Sequence, residues 1–84
     1  MLFRSNENSK KTHLEQTKLI VENYADDYCV ILFDDTYLNK NGKLDGKGHY
    51  AVEYLLDRGW KIIEDNLSTK IQPWFQFVML SNEE

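Results

Sequence analysis

Residues 28–33, Tyr-Cys-Val-Ile-Leu-Phe, are apolar at every position. A strand points successive side chains to opposite faces. A run with no polar position therefore asks for cover on both sides of a sheet. In a chain of 84 residues that demand falls on a single domain with few helices to spare. The lone cysteine, Cys29, cannot form an internal disulfide, so the fold must stand on packing. Inside such a strand Cys29 reads as a small hydrophobe rather than a reactive thiolate.

Two helices are predicted around this strand. Thr12-His13-Leu14-Glu15 matches a capping box and starts a helix that runs to about residue 25. Its stripe is Leu14, Thr17, Val21 and Tyr24, with Ile20 beside it and Leu19 on the polar side. Residues 1–11 read as a flexible arm. The second helix spans 49–58 and buries Ala51, Val52, Leu55 and Leu56, and Gly59 sits where a left-handed C-cap belongs. Between the first strand and this helix, residues 34–48 form a long loop. Asn41-Gly42 is a hairpin signal there, pairing Tyr37-Leu38 with Lys43-Leu44.

Residues 60–65 form a second strand, with Trp60, Ile62 and Glu64 on one face and Lys61, Ile63 and Asp65 on the other. After a connection that ends at Pro73, residues 74–80 form a third, strongly apolar strand. Residues 81–84 read as a polar tail. Strand, crossover helix, strand, strand places the last strand in the middle, antiparallel to both neighbours. The expected class is α+β: one domain over 12–80, a three-stranded antiparallel sheet, one crossover helix on one face, and an added N-terminal helix. Either that helix covers the second face, or the face is left for another molecule.

The stretch Tyr54-Leu55-Leu56-Asp57-Arg58-Gly59-Trp60-Lys61-Ile62-Ile63 resembles a family of small bacterial domains of unknown function. That family has a strand, a helix ending in Leu-x-x-x-Gly-Trp, and two further strands. The resemblance spans roughly residues 28–80 and departs at Lys61, where an acidic residue is usual, and in the 34–48 loop. It implies a fold and carries no functional residue with it. Gly59-Trp60 makes sense without it: the glycine stops the helix, and the tryptophan plugs the open end of the core beneath it.

The chain carries 14 acidic and 10 basic side chains, a net charge of −4, spread along its length. No like-charge run exceeds two residues, which argues against a phosphate-backbone binder and against a basic or acidic tail. No apolar stretch approaches the roughly 18 residues of a membrane span, and no signal peptide is legible. The expected location is the cytoplasm.

Candidate chemistry is sparse. Read as a calcium loop with Gly42 at its sixth position, the 37–48 segment has Tyr37 and Gly48 where Asp and Glu belong. Two histidines, His13 and His49, have no ligand spacing with each other or with a cysteine. Asp34 and Asp35 at a strand end and His49 at a helix start form the one loop candidate for a small ligand or metal. No catalytic set, cofactor or metal is predicted. The aromatic content, 13%, is the stronger pointer. Tyr50 and Tyr54 lie off the buried stripe of the second helix with Asp57 beside them, and Tyr is a hot-spot residue. With Leu19, these are the expected partner-binding residues. The expectation is a small non-enzymatic interaction or regulatory protein that self-associates as a homodimer. An acidic inhibitor of a nucleic-acid enzyme, or a ligand-binding domain built on the 34–48 loop, are the alternatives.

Overall fold

The computed structural model describes residues 7–24, 27–69, 71–72 and 75–83. Its elements are α1 (Glu7–Tyr24), β1 (Val30–Asp34), β2 (Thr36–Leu38), β3 (Leu44–Gly46), α2 (His49–Asp57), β4 (Lys61–Asp65) and β5 (Phe77–Ser81). The three-stranded sheet has the order β1-β5-β4, antiparallel throughout, and β2-β3 form a separate hairpin. The α+β class and the central place of the last strand are as expected.

The core is Phe33 from β1, Ala51, Val52 and Leu55 from α2, Trp60, and Val78 and Leu80 from β5. α2 thus covers one face of the sheet. Its end follows the Gly-Trp logic closely. Gly59 takes φ 90°, the Gly59 amide donates to the Leu56 carbonyl (3.1 Å), and the Trp60 amide donates to that of Leu55 (3.0 Å). This pair of bonds closes the helix C-terminus and turns Trp60, only 8% exposed, under the helix.

Several expectations are corrected. α1 already includes Glu7, so Thr12 is mid-helix and exposed and caps nothing. The 3.6-residue period runs back from Leu14 through Lys10 to Glu7, and residues 7–11 are helix rather than arm. Tyr24 is exposed, because the seat of α1 ends near Val21. Leu56 is 43% exposed. At about 100° per residue it lies a quarter-turn off the direction shared by Ala51, Val52 and Leu55, on the flank that α1 does not cover. Ser81 is a buried strand residue rather than tail. Asn82 also ties the chain down, taking the Cys29 amide on its side-chain oxygen (2.8 Å) and donating to the Asp27 carbonyl (2.6 Å). The last strand starts at Phe77, not 74. The expected helix end at 25, the arm over 1–6 and the positions of Pro73 and Trp74 lie outside the described residues.

β4 breaks the expected alternation. Lys61 faces Ser81 and Ile62 faces Leu80, but Glu64, not Ile63, faces Met79. A bulge at Ile63 inserts one residue and shifts everything after it to the other face. Lys61 and Glu64 therefore share a face that a regular strand would not give them.

The 34–48 segment is more ordered than a loop. Asp35, at φ 48°, turns the chain from β1 straight into β2. Thr36 pairs with Gly46 and Leu38 with Leu44, close to the expected pairing. The turn is wider than a two-residue Asn-Gly turn. The Asn39 side-chain oxygen accepts from the amides of Asn41 (2.9 Å) and Lys43 (3.1 Å). The hairpin is held to the sheet by the Thr36 amide donating to the Gln76 carbonyl (3.1 Å). The buried Thr36 hydroxyl donates to the Asp34 carbonyl (2.9 Å) and accepts from the Gly48 amide (3.1 Å).

Candidate interaction surface

Two surfaces compete for a functional role: the outer side of α2, which the aromatic pattern singles out, and the second face of the sheet.

α1 settles on the first. It packs along α2 with Thr17 buried against it. The Tyr50 hydroxyl donates to the Glu7 carboxylate (2.6 Å), and this acceptor pushes the phenol above its usual pKa. The Lys10 ammonium lies 5.4 Å from the Tyr50 ring centre. Tyr54 is flanked by Lys18 at 5.9 Å and by Arg58 at 4.4 Å, distances at which a cation is attracted by the ring face. Tyr50 and Tyr54 are thus engaged inside the chain, as the seat of α1. Both remain half-buried and, with Asp57, line the shallow groove left between the helices, with Leu14 and Glu22 across it. Leu19 is exposed, as expected from its place on the polar side of α1, and does not line that groove.

Lys10 is the centre of the seat. Its ammonium meets the Asp45 carboxylate at 2.8 Å and Nδ1 of His49 at 3.1 Å, while Nε2 of His49 meets Glu53 at 3.2 Å. The Lys10 hydrogen bond holds the Asp45 carboxyl below its usual pKa, against a smaller opposing push from burial. The loop candidate is dispersed by this arrangement. His49 is tied to α1 and to its own helix, Asp35 lies 3.9 Å from Lys47, and Asp34 stands on the sheet opposite Phe77. Among the described residues no three acidic, histidine or cysteine groups converge as a metal site would require.

Among the described residues the second face of the sheet is largely open, and α1 packs chiefly along α2. Tyr28 is 67% exposed, Leu32 56% and Val30 39%, and Phe77 and Met79 on the central strand are half-buried. The register makes the face a grid. Val30, the small and buried Ser81, and Lys61 form one row, Leu32, Met79 and Glu64 the next, and Asp34 with Phe77 the third. An apolar strip runs over β1 and β5, and charges line the β4 edge. Lys61, Glu64 and Asp34 are exposed, and none of them has an ion-pair partner among the described residues. Cover on both sides, the demand of residues 28–33, is met on one side only. Cys29 and Ile31 pack against the core, and the alternate residues do not.

Sequence reasoning missed Glu7, Lys10, Asn82 and Gln76. The helical period read backward from Leu14 marks Lys10 and Glu7. Gln76 donates to the carbonyls of Leu67 (3.4 Å) and Thr69 (3.1 Å); like the bonds of Asn82, these join segments in ways no local pattern announces. Among the described residues no helix is long and apolar enough to cross a membrane. Compared with family models, with curated proteins and with solved structures, the chain finds no match.

Proposed function

We propose that the protein is a small non-enzymatic contact protein of the cytoplasm that works by self-association, and that the open face of its sheet is the interface. The observation that carries this reading is the exposure of Val30 and Leu32 beside half-buried Met79 on a sheet face that, among the described residues, no helix covers. Apolar surface gathered on one flat face is the usual mark of an interaction site, unlike single scattered apolar residues. The fate of the charged and aromatic side chains of α2 supports the same reading. His49, Tyr50 and Tyr54 hold α1 in place, which leaves the sheet as the surface still in need of cover. Cys29 packed as a small hydrophobe suits a reducing compartment.

Light scattering across a concentration series tests the self-association. A mass that rises from one chain to two with concentration is expected. A single-chain mass up to about 1 mM, where any association would be weaker than about −4 kcal/mol, would overturn it.

A further inference from the structure

The open face is self-complementary in its charges, and this points to one way of pairing two copies. Two sheets meeting face to face are related by a two-fold axis lying in the plane between them, so that residue i meets residue j and j meets i. Place that axis across the strands, midway between the Val30–Ser81–Lys61 row and the Leu32–Met79–Glu64 row. The two rows then exchange. Val30 lies over Leu32 of the partner subunit, and Lys61 lies over Glu64 of the partner subunit. Each of these contacts occurs twice. The strands of the two sheets stay nearly aligned, one of the two preferred ways for sheets to pack, about 10 Å apart. Other axes do worse. An axis through the Leu32 row sets Glu64 against its own copy, and one along the central strand sets Leu32 against Glu64.

Resting on the self-association reading, we propose that the second copy docks by this axis, with the Lys61–Glu64 pairs closing the rim of an apolar contact made by Val30, Leu32 and Met79. The bulge at Ile63 is what makes the pairing available. In a regular strand Glu64 would face the core side, and Lys61 would have no acid one row away on its own face. Exposed rim charges of this kind select the register of an interface more than they supply its affinity.

Charge reversal across the proposed pair is the test, read by sedimentation equilibrium with a thermal melt by circular dichroism to confirm folding. Both positions are exposed, so Lys61→Glu and Glu64→Lys should each leave the melt of the monomer unchanged. Each variant alone turns two attractions into two repulsions and should dimerise about tenfold more weakly than wild type. Mixed in equal amounts, the two variants restore opposite charges at both contacts, and heterodimers should form with nearly the wild-type constant. If wild type dimerises and both variants dimerise equally well, this axis is wrong while self-association stands. If both weaken and the mixture does not recover, the pairing of Lys61 with Glu64 is wrong. A wild-type chain that never dimerises overturns the self-association reading and this inference together.

Discussion

Replacing Trp60 by alanine probes the junction on which the core depends. The residue is 8% exposed and packs with Leu55, Val52, Val78 and Leu80. Burying about 200 Å² of indole at about 25 cal/mol per Å² gives about 5 kcal/mol, an upper bound because the unfolded chain already hides some of that surface. Large aromatic truncations in cores cost about 3–5 kcal/mol. A domain of this size has only about 5–10 kcal/mol in all. With a urea slope of about 1 kcal/mol per M, Trp60→Ala should lower the midpoint by about 3 M or leave the chain partly unfolded in water. The assay is urea denaturation followed by far-ultraviolet circular dichroism, at one low protein concentration because dimerisation would add to the apparent stability. Leu56→Ala, at a position 43% exposed, is the control and should cost less than about 1 kcal/mol. A Trp60→Ala midpoint within about 1 M of wild type would refute the claim that the Gly-Trp junction closes the core.

The base of the hairpin offers a second test. A Cβ on Gly48 would lie 2.5 Å from the Thr36 hydroxyl oxygen and 2.8 Å from Cβ of Phe33, so Gly48→Ala should cost about 1–3 kcal/mol in the same urea assay, whereas Gly42→Ala, with no atom in the way, should cost only its left-handed backbone strain of about 1 kcal/mol. The Lys10–Asp45 pair predicts a pH dependence. Asp45 has its folded-state pKa depressed below 3.8, chiefly by the Lys10 hydrogen bond, so its contribution is full above about pH 4 and is lost as pH falls through the lower folded value. For a partly exposed pair that contribution is below about 1 kcal/mol, and melts of Lys10→Met between pH 2 and 5 should show a shallower acid loss than wild type; parallel curves would mean that the pair does not fasten α1 to the hairpin.

Much of this fold is legible from local pattern because local physics decides it. Gly59 stops α2 since only glycine enters the left-handed region cheaply, and Trp60 follows inward because the chain must re-enter the sheet at once. The central place of β5 follows from strand order and crossover rules, and Val78 and Leu80 alternate into the core until buried Ser81 breaks the period. What pattern could not supply depends on contacts between distant segments. Tyr50 and Tyr54 look like a bare aromatic surface until α1 is laid on them, and that seat rests on Glu7 and Lys10, far away in sequence. The bulge at Ile63 moves Glu64 to the open face although nothing in Lys-Ile-Ile-Glu-Asp departs from a regular strand. The apolar run at 28–33 asked for two covers, and among the described residues the chain's own helices provide one.

Whether a second copy covers the open side of the sheet is tested by one comparison of charged variants. Leu32→Glu puts a charge in the middle of the open face, and Leu56→Glu puts the same charge on a comparably exposed leucine of α2 (56% and 43% exposed). In sedimentation equilibrium beside wild type, Leu32→Glu should be a monomer at concentrations where wild type and Leu56→Glu are dimers. Dimers of equal strength from all three chains, or loss of the dimer in Leu56→Glu alone, would contradict this and place the interface elsewhere.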